Sequence, residues 1–181
     1  MARNVKFTKD KILEGSVEYI RTYGIEKINV RDLAKFIGCS TAPIFRIYQN
    51  IEEYKKDLKK VLHKDYEKYI EKYIDKNNYL LTISYAYAMY AKNESNIFRA
   101  LFITDLAGSR TVEEVINSSW NRETIESTAQ TLNLSIEKAE KLYRDVRFYT
   151  QGIASSLSCN SIKLSDTEIY NLIQNILNKL K

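Results

Sequence analysis

The sequence is short of helix breakers. Its 181 residues include one proline and five glycines, so a mostly helical chain is expected. Its two cysteines, Cys39 and Cys159, lie far apart. That spacing excludes a metal-type cysteine pair and fits reduced thiols in a cytoplasm. The single histidine, His63, has no cysteine near it. A histidine-based metal site or catalytic triad therefore lacks its components. No apolar run approaches the roughly 18 residues that a membrane span needs. The basic residues after Met1 are not followed by an apolar stretch, so no secretory signal is expected and the cytoplasm is the expected compartment. Glycine-rich phosphate loops are missing too. Carboxylates are plentiful but alternate with lysines, as on solvated helix faces. Neither an enzyme nor a cofactor is expected.

Positive charge is present and unevenly placed. Residues 1–76 hold 17 Lys and Arg against 12 Asp and Glu, whereas residues 77–181 hold 11 of each. The whole net charge of +5 therefore sits in the N-terminal part. A basic module joined to a neutral remainder points to a polyanion at one end, or else to a solvated lysine-rich surface.

Apolar spacing and cap residues predict about nine helices. The first runs over 8–23, with Thr8 as cap and Gly24 as stop. Asn29 caps a second that ends near Gly38, with Asp32 three residues on. Ser40 caps a third, covering Thr41 to Tyr48. Longer helices are predicted at 51–75, 78–92, 95–107, 112–131, 135–158 and 166–180. Ser165 and Glu168 form a capping box for the last of these. The expected division is a head over 1–50 and a larger helical domain over 51–181.

The segment from Val30 to Tyr48 has the make-up of a helix-turn-helix. Two short helices that cross closely need a small residue and a permissive turn. Ala34 is the small residue, and Gly38 can take the left-handed conformation. Leu33, Ile37, Ile44 and Ile47 supply a shared apolar core. Pro43 is acceptable because it falls in the first turn, where its missing N–H has no intrahelical partner.

Such a helix would present its N-terminal end to a DNA major groove. The candidate contacts are Asn29, Arg31, Ser40, Thr41, Ala42, Pro43, Phe45, Arg46 and Tyr48. Thr41, Ala42 and Pro43 are placed for base edges, and the Ala42 methyl suits a thymine methyl. Arg46 suits a guanine edge or a phosphate. Tyr48 is either a backbone contact or core. Arg3, Lys6 and Lys9 near the N-terminus, and Lys55 and Lys56 beyond the third helix, are candidates for phosphates or plain surface charges.

Residues 8–58 resemble the TetR family of bacterial transcriptional regulators. The resemblance runs through Thr8, Ile12, Leu13, Gly24, Val30-Arg31-Asp32-Leu33-Ala34, Gly38-Cys39-Ser40, Ile44-Phe45-Arg46-Ile47-Tyr48 and Leu58. It departs from the common pattern at three positions. Phe45 stands for a Tyr that bonds phosphate, Tyr48 for a Phe, and Ile51 for a Lys that contacts DNA. Lys55 or Lys56 would have to compensate. The resemblance implies an all-α homodimer with a three-helix DNA-binding head and a larger ligand-binding and dimerisation domain. It also implies repression of a pseudo-palindromic operator, relieved by a small-molecule effector.

The C-terminal helices suggest association independently. Ile169, Leu172, Ile173, Ile176, Leu177 and Leu180 form one apolar stripe. Gly152, Ser155, Ser156 and Cys159 form a small-residue face on 135–158 that would admit another helix closely. These two helices either make a dimer interface or complete the monomer core. Tyr85, Tyr90, Phe98, Phe102, Trp120, Tyr143 and Phe148 either line an aromatic ligand cavity or are plain core. Cys39 is either a redox-sensitive thiol or a small filler in the turn. The competing function is a DNA-binding architectural or adaptor protein without a small ligand.

Overall fold

The computed structural model describes residues 7–104, 106, 108 and 111–181. The chain is all-α: the described residues form ten α-helices and no strand. In order they are α1 (Lys9–Tyr23), α2 (Val30–Phe36), α3 (Ala42–Ile47), α4 (Ile51–Ile70) and α5 (Tyr79–Asn93). Then follow α6 (Ser95–Phe102), α7 (Val112–Ile116), α8 (Ser119–Leu132), α9 (Ile136–Ser158) and α10 (Asp166–Leu180). Two compact units emerge, one of residues 1–65 with 96–107, the other of 66–95 with 108–181. The first unit thus extends past the boundary expected at residue 50.

Several helices end earlier than their apolar spacing predicts, because side chains capture the backbone. The predicted helix over 112–131 is two helices. The Ser118 hydroxyl and the Asn121 amide both donate to the Val115 carbonyl, at 3.0 and 2.6 Å. That ends α7 and lets α8 start afresh. α4 stops at Ile70 and not near residue 75. There Asp75 accepts from the Asn77 and Asn78 nitrogens and organises a single 3-10 turn, Lys76–Asn78. α6 ends at Phe102, where the Thr104 hydroxyl donates to the Ala100 carbonyl.

In the first unit α1 buries Ile12, Leu13, Val17 and Ile20. Tyr54, Leu58 and Leu62 of α4 and Ile97, Phe98 and Leu101 of α6 are buried as well. In the second unit α5 is apolar all round, as a central helix must be. α9 packs along it, and α8 and α10 complete the bundle. Ile125, Leu142, Val146, Leu157, Ile169 and Ile173 form its main core.

Candidate nucleic-acid interface

The helix-turn-helix is assembled by local signals. Asn29 caps α2: its side-chain oxygen accepts from the Asp32 backbone N–H at 2.9 Å, and its amide donates to the Asp32 carboxylate at 2.6 Å. α2 then runs to Phe36, and Gly38 adopts φ 75°. An added Cβ at Gly38 would meet nothing within 4 Å, so the backbone angle and not space demands glycine there. Cys39 N–H returns to the Ala34 carbonyl at 2.8 Å, closing the turn. Burial pushes the Cys39 thiol pKa up, which disfavours the reactive thiolate and favours the filler role.

The start of α3 differs from expectation. Ser40 is not its cap. Thr41 occupies that position with helical angles and makes no side-chain cap bond; Ala42 and Pro43 open the helix. Pro43 replaces a capping side chain as the starting device, since its ring fixes φ and removes an N–H that would otherwise need a partner.

The close crossing uses a residue that apolar spacing did not reveal. A Cβ built on Gly15 of α1 would lie 2.2 Å from Ile37 Cγ2. Ile37 follows α2 directly, so Gly15 sets the approach of the first two helices. Beside it, Tyr54 of α4 donates its hydroxyl to Ser16 at 2.8 Å, and Ser16 donates to the Ile12 carbonyl at 2.7 Å. A glycine and a serine one residue apart on the buried face of a helix were the available signal.

The candidate contacts sort by exposure. Arg31, Ser40, Ala42, Arg46 and Lys55 are exposed, and Thr41 and Pro43 are partly buried. Phe45 is 64% exposed and Ile51 54%, so the two apolar departures stand on the surface. Tyr48 is core: it is 6% exposed and meets the Tyr54 ring edge-on at 5.3 Å. Burial, aided by Asp57 and Tyr54, pushes its phenol up to about 12. The Asn29 side chain is engaged in the α2 cap. Lys9 is paired with Asp57 at 2.5 Å and Lys55 with Glu52 at 3.3 Å. Arg31, Arg46 and Lys56 form no ion pair among the described residues. Arg3 and Lys6 lie outside the described residues. An apolar hollow of about 150 Å³ lies beside α3, with Leu33, Ile44, Phe45, Ile51 and Tyr54 among its walls.

The expected aromatic cavity is redistributed. The Phe98 and Phe102 rings meet at a tilt, 5.1 Å apart, within the first unit, where Phe102 also meets His63. Tyr85, Tyr90, Trp120, Tyr143 and Phe148 belong to the second unit. Of these, Phe148 is 60% exposed and lines no interior. It shares a face of α9 with Gly152, Ser155, Ser156 and Cys159. Gly152 and Cys159 on that face are exposed, and an added Cβ at Gly152 would meet nothing within 4 Å. The α10 stripe is divided: Ile169, Ile173 and Leu177 are buried, whereas Leu180 is 41% exposed.

Sequence reasoning also missed a polar set inside the second unit. Arg147 of α9 holds its guanidinium carbon 4.8 Å from the Tyr87 ring centroid. The Tyr87 hydroxyl donates to Gln151 Oε1 at 2.5 Å, and Gln151 Nε2 donates to Ser155 at 3.1 Å. Tyr66 meets Tyr87 and Tyr90 edge-on at 6.1 and 5.1 Å. The sequence signal was Tyr143, Arg147, Thr150 and Gln151 at helical spacing on one face. Among the described residues no cluster of three or more His, Cys, Asp or Glu suits a metal ion. No helix there is long and apolar enough to cross a membrane.

A head of three short helices with a glycine turn, carried on an otherwise helical chain, is the fold of TetR-like transcriptional regulators. The chain is similar to a TetR-like transcriptional regulator from Rhodococcus sp. RHA1. The TM-score is 0.65 at 10% identity, covering 99% of this chain and 97% of that one. It is also similar to a TetR variant from Acinetobacter baumannii AYE in complex with minocycline. There the TM-score is 0.56 at 14% identity, covering 97% of this chain and 99% of that one. No protein-family model matches the sequence. No curated protein matches it significantly.

Proposed function

We propose that this chain is a ligand-responsive transcriptional regulator, acting as a repressor in the cytoplasm, that binds a pseudo-palindromic DNA operator as a homodimer. The observation that carries this reading is the short helix α3. It follows a glycine turn and displays an exposed Arg46 that no acidic side chain neutralises among the described residues. Arg46 reads a base edge or holds a phosphate, while Thr41, Ala42 and Pro43 approach the groove floor. Phe45 and Ile51 pack against sugar and thymine methyl groups, where a tyrosine hydroxyl and a lysine would otherwise bind phosphate. Arg31 and Lys56 supply phosphate contacts instead.

The open face of α9, with Phe148, Gly152 and Cys159, joins the exposed edge of α10 as the dimer surface. Small residues there admit a partner helix closely. The adaptor reading, with no effector, is less well supported, because the second unit holds a partly buried arginine that no acid neutralises among the described residues.

Band shifts with DNA from upstream of the protein's own gene test the reading. A specific complex at low salt, with the stoichiometry of a dimer on one site, is expected. A chain that stays monomeric in light scattering and shifts no such fragment would refute it.

A further inference from the structure

We infer that Arg147, Thr150 and Tyr87 form the head-group end of an effector site, and that the effector is a small organic carboxylate with an apolar body. This inference rests on the regulator reading and gives its unnamed ligand a chemistry.

Tyr143, Arg147, Thr150, Gln151 and Ala154 recur at three- and four-residue spacing, so they share one face of α9. Tyr143, Thr150 and Ala154 are 4%, 2% and 0% exposed. The face is therefore interior, and Arg147, itself partly buried, lies in the middle of it.

Interior arginines are normally matched by a carboxylate, because desolvating a cation without one is expensive. Arg147 has none among the described residues. Its polar surroundings are the phenols of Tyr87, Tyr143 and Tyr66, and its side-chain hydrogen bond is to Tyr87. The nearest acid in sequence, Asp145, is paired with Arg144 at 3.2 Å. Desolvation pulls the Arg147 pKa down, the three phenols push it up, and the balance is upward, so the guanidinium stays charged. A guanidinium carries five N–H donors. One phenol oxygen and one ring face leave most of them unused.

A second polar group here is also unsatisfied. The Thr150 hydroxyl oxygen is buried and has no hydrogen-bond partner among the described residues. Gln151 is turned to other partners, its oxygen accepting from Tyr87 and its nitrogen donating to Ser155, and it makes no bond to Thr150. What the site lacks is thus a planar acceptor with two oxygens, one for the guanidinium fork and one for the hydroxyl. A carboxylate meets that description. The rings of Tyr66, Tyr87 and Tyr90 supply the apolar wall for the rest of the molecule.

Calorimetric titration of the full-length protein, without DNA, tests the site. The probes are benzoate and decanoate, each beside its uncharged counterpart, benzamide and decanol. At least one acid is expected to bind about tenfold to a hundredfold tighter than its neutral counterpart, the range of a charge-assisted hydrogen-bonded contact. Arg147→Gln should remove that advantage, and Arg147→Lys should restore part of it. Arg147→Met should abolish acid binding yet raise the melting temperature of the unliganded protein, because it removes an unmatched interior charge. Failure of both acids to bind, equal binding of acid and neutral probe, or a lower melting temperature for Arg147→Met would each overturn the inference. Band shifts with the wild-type protein report the regulator reading separately. Acid binding without any operator complex would leave the site standing and remove the regulator.

Discussion

Two arginines set the two regions of the molecule apart. Arg46 stands exposed on a six-residue helix of the first unit, and Arg147 lies among tyrosines on the interior face of a 23-residue helix of the second. Neither is neutralised by an acid among the described residues. Their settings decide what the missing anion must be. An exposed guanidinium in water binds weakly by itself and gains strength by acting with others on a repeating polyanion. A guanidinium among ring faces binds one anion, chosen by shape, and small ions in solution screen it little. The same side chain suits a phosphate backbone in one place and a single carboxylate in the other.

Salt gives the largest expected separation. In the proposed dimer, Arg31, Arg46 and Lys56 from each half would neutralise about six phosphates. Operator affinity should then fall about a thousandfold between roughly 50 and 200 mM salt. Carboxylate affinity over the same range should change by no more than a few fold. Comparable slopes in parallel titrations would erase the distinction. At the level of one residue, Arg46→Ala should weaken the operator complex by about 1–3 kcal/mol and flatten base preference where it contacts. Band shifts on single-base variants of the operator measure both effects.

Two glycines sharpen the contrast in packing. Gly15→Ala forces a Cβ into Ile37, whose branched side chain has few rotamers to escape into. A loss of about 1–3 kcal/mol is expected in urea unfolding. Gly152→Ala has open space and better helix propensity, so chain stability should rise by about 1 kcal/mol. The same change should weaken dimerisation, read by sedimentation. A tighter dimer would move the interface elsewhere.

The smallest expected effect is in acid. A hydrogen bond from Lys9, with its charge and that of Lys60, holds the Asp57 carboxyl below the usual range, against a smaller opposing effect of burial. A carboxylate whose folded pKa is lowered adds stability above its unfolded pKa. That contribution is lost as pH falls through the folded value, below about pH 4. Asp57→Asn should flatten the acid limb of thermal melts there and leave their shape near neutrality unchanged.

Local chemistry was legible in the sequence; what lay opposite each face was not. Gly24, Asn29 with Asp32, Gly38 and Pro43 act on their own backbone, and each could be read directly. The cap at Ser40 failed because Pro43 starts α3 without one. The break at Asn117 and Ser118 was hidden, since the apolar spacing carries on through it. Phe148 looked like cavity lining because spacing cannot distinguish the inner face of α9 from the outer. Arg147 went unnoticed for the opposite reason. A charged residue between aromatics reads as surface until Tyr66, Tyr87 and Tyr143 are found around it.

The hydrogen bond from Tyr54 to Ser16 bears on how such heads can be exchanged between proteins. The three short helices look like a cassette that ends at residue 50. Yet Tyr54 of the helix that follows bonds Ser16 and meets the Tyr48 ring within their core, and Leu58 and Leu62 of the same helix are buried too. Their unit also takes in Asn96, whose amide holds the Arg21 carbonyl at 2.8 Å. A chimaera joined at residue 50 would cut through that core and import a partner face shaped for another head. Recombination that preserves folding would instead carry α1 to about residue 65 together with α6, so this head would have to be moved as two stretches of chain.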